Sequence, residues 1–268
     1  MDYNKIVLFS DLDGTLFDSS TAVPEINRQA IQHFTQQGGI FCVSTGRTQH
    51  NAAPYLEKVA VNGPCILYNG AAAYSFASRR FLFARTAPEE ALEEYIRQIL
   101  QDYPAVNIQV YTPEEICFVS PQELADAEFV RLHQPCVFSS LERAPRPWLK
   151  LLLQGTPDQL RTVQQMAPAS VRENCDMVFS SPIYLELLPK GANKGSALHQ
   201  LRSLPQLEGR TFVAIGDYNN DLELLQNADI AAAPQNALPA VQALADHLVC
   251  SNDEGAVADL INRVIPSL

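Results

Sequence analysis

The chain has 268 residues, 47% of them apolar and 18% charged, with a formal net charge of −11. That is ample material for a sizeable core, and the length suits a core plus a second module. The negative balance argues against sequence-independent binding to a nucleic-acid backbone. It leaves a small anionic substrate open, because local charge decides there.

The first apolar run is short and is broken by Asp11, unlike a signal peptide, and no run approaches the length that spans a bilayer. The cytoplasm is the expected location, with no membrane partner. Six cysteines at 42, 65, 117, 136, 175 and 250 are scattered without a C-x-x-C pair. They read as small buried hydrophobes of a reducing compartment. The five histidines share no metal-binding spacing.

In chain order, Lys5 to Ser10 leads straight into Asp11-Leu12-Asp13-Gly14-Thr15. An apolar run ended by a Gly-containing turn reads as a buried parallel strand, and open α/β sheets place their chemistry just past such ends. Two carboxylates held close repel unless a cation or a shared proton relieves them. A hard, oxygen-seeking ion such as Mg2+ suits the pair. Asp and Gly are also ordinary turn and cap residues, so this motif alone leaves that reading open.

A helix follows from Pro24, with Ile26, Ala30, Ile31 and Phe34 on one face and Gly38-Gly39 at its end. Ile40 to Val43 is the second buried strand and stops at Ser44-Thr45-Gly46-Arg47. After another helical stretch, Cys65 to Tyr68 is a third strand, ending at Asn69-Gly70. Repeated strand–helix units build a parallel sheet with helices on its faces.

The pattern changes near Phe83. Helices are predicted over Pro88–Gln101, Pro121–Leu132 and Pro157–Met166. Strands are predicted over Asn107–Tyr111, Glu115–Val119, Trp148–Gln154, Met177–Ser180 and Tyr184–Leu188. Ser139 to Pro147 reads as an exposed loop. After Pro189 the strand–helix alternation resumes: a helix from Asn193, a strand over Thr211–Ile215 ending at Gly216-Asp217, and a helix over Asp221–Asn227. Short strands follow at Asp229–Ala233 and His247–Val249 around another helix, and Gly255 to Val264 closes the chain. The expected fold is α/β: a Rossmann-like parallel core over 1–82 and 189–268, with an α+β module inserted at 83–188.

Three core strands thus end in polar clusters: Asp11/Asp13, Thr45-Gly46-Arg47, and Asp217 with Asn220-Asp221. Lys194 opens a nearby helix. Each cluster by itself could be a cap, a turn or a surface charge. In a parallel sheet, all of them converge on one edge and offer a nest for a metal beside a nest for a phosphate.

These residues resemble the four motifs of the haloacid dehalogenase (HAD) superfamily of phosphatases, and of its Cof-like subfamily (type IIB, with a C2 cap). Asp11-Leu12-Asp13-Gly14-Thr15, Thr45-Gly46-Arg47, Lys194-Gly195, and Gly216-Asp217 with Asn220-Asp221 occur in order, and Asn69-Gly70 also fits. The resemblance covers both ends of the chain by motif, and the middle only by size and element order.

It implies a Mg2+-dependent phosphatase of small phosphorylated metabolites, most plausibly sugar phosphates. Asp11 would be the nucleophile and form an aspartyl-phosphate, and Asp13 the general acid and base. Thr45, Gly46, Arg47, Lys194 and Asn220 would bind the phosphate, with Arg47 either touching it or bracing the loop. The metal would take Asp11, the Asp13 carbonyl and Asp217, and Asp221 would orient Lys194 or a metal-bound water. P-type ATPases of the superfamily carry Thr at the position matching Asp13, so Asp favours phosphomonoester chemistry over pumping. A phosphomutase and a non-catalytic sugar-phosphate-binding module are the competing readings. Specificity would lie in the inserted module, where Tyr184, Glu186 and Arg131 are candidates. Oligomeric state is not encoded in these motifs.

Overall fold

The computed structural model describes residues 2–125, 130 and 135–267. Its contacts divide the chain into two compact units, Met1–Phe83 with Asn193–Leu268, and Ala84–Ala192.

The first unit is built on a parallel sheet of β1 (Ile6–Ser10), β2 (Ile40–Val43), β12 (Thr211–Ile215), β13 (Ile230–Pro234) and β14 (His247–Val249). The strand order is β14-β13-β12-β1-β2. Every residue of β1 is buried, as expected of a central strand covered on both faces. Val7, Phe9, Cys42 and Ala214 pack on one side with Ala197, Leu198 and Leu224.

Helix α1 (Glu25–Gln36) buries Ala30, Ile31 and Phe34. Ile26, expected on the same face, is instead 52% exposed. Asn27 takes the buried place. Its amide donates to the Leu16 carbonyl at 3.1 Å and accepts from the Ala258 N–H at 2.9 Å. A polar side chain sits there because two main-chain groups need a partner.

The third strand also differs from expectation. β3 (Cys65–Leu67) is not laddered into the parallel sheet but joined to it by an isolated bridge between Ser44 and Ile66. It pairs antiparallel with β4 (Ala72–Ser75), and β5 (Arg80–Ala84) completes a three-stranded sheet. The cause is the turn between them. Tyr68, Asn69 and Gly70 all have positive φ, at 53°, 52° and 94°, which reverses the chain at once and leaves no room for a crossover helix.

The second unit holds a six-stranded sheet. Its order is β10 (Cys175–Ser181), β11 (Tyr184–Pro189), β9 (Lys150–Gln154), β6 (Asn107–Tyr111), β7 (Ile116–Phe118) and β8 (Cys136–Phe138). All pairings are antiparallel except β7 with β8. Alternate residues Ile108, Val110, Leu151, Leu153, Leu185 and Leu187 pack on helices α3 (Glu89–Asp102) and α4 (Pro157–Met166) through Leu92, Tyr95, Ile96, Leu160 and Val163. β8 and the short helix α5 (Ala169–Asn174) were not foreseen.

Of the helix expected over 121–132, a 3-10 turn at Gln122–Leu124 is described. Residues 126–129 and 131–134, Arg131 among them, lie outside the described residues. The segment 139–147 is not simply an exposed loop, because a 3-10 turn buries Leu141 and Ala144. Glu186 is buried in an ion pair with Lys150 at 2.7 Å, and the ammonium lies 4.4 Å from the Tyr111 ring. Among the described residues, no helix is long and apolar enough to cross a membrane.

Candidate active site

The register of the parallel sheet builds the site. Ser10 of β1 is level with Val43 on one side and Ile215 on the other. The Asp11 N–H donates to the Ile215 carbonyl at 3.0 Å, and the Ser44 N–H to the Ser10 carbonyl at 2.8 Å. The residues just past these ends, Asp11, Thr45 and Asp217, are therefore side by side at one edge.

Lys194 is brought in by helix α6 (Lys194–Leu201), which Asn193 caps with a reciprocal Ser196 bond. Gly195 lets that helix lie close on helix α7 (Leu222–Asn227), since a Cβ there would stand 2.2 Å from the Glu223 carbonyl oxygen. Lys194 is fully buried. Its ammonium donates to Asp11 Oδ1 and to Asp221 Oδ1, each at 2.6 Å. Burial alone would lower the Lys194 pKa, but Asp11 and Asp221 hold it raised, so the group stays charged.

Carboxylate oxygens of Asp11, Asp217 and Asp221 lie within 4.8 Å of one another. The three are not equivalent. Asp221 has both oxygens engaged, Oδ1 by Lys194 and Oδ2 by the N–H groups of Asp217 and Tyr218 at 3.1 and 3.3 Å. Asp217 receives the Thr15 hydroxyl on Oδ1 at 2.9 Å. Oδ2 of Asp217 and Oδ2 of Asp11 take no hydrogen bond among the described residues. Hard carboxylate oxygens without a hydrogen bond, on buried Asp11 and half-buried Asp217, suit a divalent cation, and all-oxygen donors suit Mg2+ among such ions. Asp221 then supports Lys194 and the 216–218 backbone rather than an ion.

Crowding is visible in the proton affinities. Burial pushes the Asp11 carboxyl well above the usual range; Lys194 opposes this, and Asp221, Asp217 and Asp13 add to it. Burial and then Asp221 push Asp217 up to about 7, against the Thr15 bond and Lys194. The consequence for metal-free protein has a definite sign. Asp217 is 3.8 at its ordinary value and about 7 when folded, so between those pH values the folded state holds the extra proton. Stability from this group is full below pH 3.8 and is lost as pH rises through about 7, at up to about 1.4 kcal/mol per pH unit. Urea unfolding in EDTA at about pH 5 and about pH 7.5 should show the decline, and Mg2+ should remove most of it. A metal-free protein more stable at the higher pH would contradict the crowding.

The Asp13 side chain does not join this cluster. It is 56% exposed and turned onto Arg47, which donates through Nε to Oδ2 at 2.9 Å and through Nη2 to Oδ1 at 2.6 Å. Arg47 was expected on phosphate or as a brace, and here its guanidinium edge is taken by Asp13.

Thr45 is buried and its hydroxyl accepts the Arg47 N–H at 3.2 Å, which leaves its own proton to donate. Gly46 lies so close to Asn69 that a Cβ would meet the amide at 2.9 Å. Asn220 donates one amide N–H to Asn69 Oδ1 at 3.0 Å. The residues expected to share a site thus all lie in the first unit, Asp13 being the one whose carboxyl is held by Arg47 outside the three-carboxylate cluster.

Sequence reasoning gave no role to Thr15, Asn236, Phe17 or Tyr55. Gly14 sits at φ 77°, and a Cβ on it would stand 2.5 Å from Asp217 Oδ2. Asn236 receives this turn by donating to the Gly14 carbonyl at 2.8 Å. Thr15 could have been read from its place in the motif; Asn236 carries no local signal.

The haloacid dehalogenase-like hydrolase family matches residues 8–261. The 5-amino-6-(5-phospho-D-ribitylamino)uracil phosphatase YitU of Bacillus subtilis is 22% identical over 267 residues, covering 98% of each chain. A haloacid dehalogenase-like hydrolase from Bacteroides thetaiotaomicron is 25% identical with a TM-score of 0.84, covering 97% of this chain and 99% of that one. The HAD subclass IIB sugar phosphatase BT4131 is 20% identical with a TM-score of 0.78, covering 94% and 96%. With the aspartate, threonine and lysine motifs gathered at one sheet edge and the family matched over nearly the whole length, the chain belongs to the haloacid dehalogenase-like hydrolases and is an enzyme of the phosphatase type.

Proposed function

We propose that this enzyme is a Mg2+-dependent phosphatase that hydrolyses small phosphorylated metabolites, sugar phosphates first among them, through an aspartyl-phosphate on Asp11. The observation that carries the reading is the state of Asp11. It is buried, one oxygen is fixed by Lys194 at 2.6 Å, the other takes no hydrogen bond among the described residues, and the carboxylate of Asp217 lies in the same cluster. The sugar-phosphate preference is supported by the named activities of the similar phosphatases.

The cation would be held by Asp11, Asp217 and, as the motif implies, the Asp13 carbonyl. When bound, it supplies positive charge that offsets repulsion between the carboxylate and the phosphate dianion. The open Asp11 oxygen forms the bond to phosphorus as the ester P–O bond breaks. Asp13, as a carboxylic acid, gives its proton to the leaving oxygen, and as a carboxylate it then takes one from the water that attacks phosphorus and frees Asp11. The Thr45 hydroxyl, the Gly46 N–H, Lys194 and the remaining Asn220 amide proton hold the phosphoryl oxygens. Fixed donors of this kind are typically the largest catalytic contribution. The inserted unit would set which ester is accepted.

The test is phosphate release from a panel of sugar phosphates, nucleotides and an aryl phosphate, with Mg2+ and with EDTA. Release only with Mg2+, and faster from sugar phosphates than from nucleotides, is expected. Sugar-phosphate isomerisation without phosphate release would instead point to a phosphomutase, and metal-independent release would contradict the reading.

A further inference from the structure

Arg47 is held in a way that a phosphate ligand does not require. Its guanidinium carbon lies 4.8 Å from the centre of the Tyr55 ring and 5.3 Å from that of Phe17, and the two rings are 5.0 Å apart. Phe17 is buried and continues the turn that carries Asp13. Tyr55 lies on helix α2 (Gln49–Leu56), which Thr48 caps. The three centres form a nearly equilateral triangle, so both rings back the guanidinium from one side, and Tyr55 is also its hydrogen-bond partner; together they hold the group while an edge stays available to Asp13. That edge meets Asp13 in the two-point geometry of a carboxylate fork, at 2.6 and 2.9 Å. The Arg47 side chain is only 15% exposed, whereas Asp13 is 56% exposed. The less exposed partner, packed against two rings, is therefore the one that fixes the other.

We infer that Arg47 is a positioning residue for Asp13: the guanidinium, held by Phe17 and Tyr55, sets the plane and direction of the carboxyl group that exchanges the proton with the leaving group and the water. The inference rests on the phosphatase reading and on Asp13 as its acid. A carboxylate oxygen has two acceptor positions, so each oxygen bound by Arg47 retains one for a reacting proton. A lysine could supply the charge but not the planar two-point grip.

The experiment compares kcat and KM for an alkyl phosphate, whose leaving oxygen needs a proton, with those for an activated aryl phosphate, whose leaving oxygen does not. Wild type, Asp13→Asn, Arg47→Ala, Arg47→Lys, Tyr55→Leu and the double variant Asp13→Asn/Arg47→Ala are measured. General-acid loss is on the order of 100-fold or more. Arg47→Ala should lower kcat on the alkyl ester by about that factor and on the aryl ester by less than about 5-fold, with KM nearly unchanged. Arg47→Lys should recover little. Tyr55→Leu should show a smaller loss of the same selectivity. The double variant should be no worse than Asp13→Asn alone, because both changes remove one function.

Equal losses on the two esters with a raised KM would make Arg47 a phosphate ligand and overturn the inference. Equal losses with unchanged KM and a lowered Tm would make it merely structural, with the same consequence. Failure of wild type on both esters would contradict the phosphatase reading itself, and the inference would fall with it.

Discussion

Replacing Lys194 by Met is expected to lower phosphate release by about 1000-fold or more and to destabilise the fold at neutral pH. Loss of one fixed donor to a transition-state oxygen costs about 100- to 1000-fold in turnover. Lys194 does more than donate. It separates Asp11 from Asp221, each 2.6 Å from its ammonium, in a place with no exposure. Met fills the volume but leaves those carboxylates facing each other with nothing between them. Removing one partner of a buried ion pair typically costs about 3–5 kcal/mol. The loss should be partly recovered at low pH, where the unpaired carboxyls take up protons. Urea unfolding at two pH values, together with turnover, checks both halves. A Met variant with near-normal turnover would mean that Lys194 only packs.

Asp11→Asn separates chemistry from folding. The amide cannot form the phosphoryl bond, so turnover should fall on the order of 10,000-fold or more, as for loss of a nucleophile. The fold should hold. Asn keeps an oxygen for Lys194, and Lys194 keeps Asp221. Burial already penalises the charged form of Asp11, so a neutral side chain there relieves crowding with Asp217 and Asp221. A Tm equal to or above that of wild type, with phosphate still bound, is the expected companion result. Near-normal turnover would remove Asp11 from the nucleophile role.

Much of this architecture is legible in the chain because its signals are local. β1 reads as a buried strand from five residues, and all five are buried. The helix over 157–166 follows from Thr156, Pro157 and the apolar spacing, and its capping box is present. Asp11, Asp217 and Lys194 can be placed at one edge from topology alone, since parallel strands bring their carboxyl ends level.

What escaped depends on geometry that spacing does not carry. Cys65 to Leu67 reads as another core strand; only the three consecutive positive φ angles at 68–70 reveal that it turns into a hairpin. Ile26 fits the helical stripe by period, yet two unpaired main-chain groups draw Asn27 inward instead. Arg47 is legible as a cation beside the phosphate nest. Its aim is not, because that is set by Phe17 and Tyr55, which lie 30 residues before it and 8 after it in number. Glu186 is legible as a charge in a strand, but its burial against Lys150 comes from the register of β11 on β9.

Hydrolysis by this route requires a covalent bond between Asp11 and phosphorus. The most direct measurement mixes enzyme, Mg2+ and a radiolabelled phosphate monoester, quenches in acid within one turnover, and maps the label by peptide digestion. Label on the peptide containing Asp11, absent in Asp11→Asn and absent in EDTA, is the predicted result. Turnover of the ester without any acid-stable label on that peptide, or label on another residue, would contradict it.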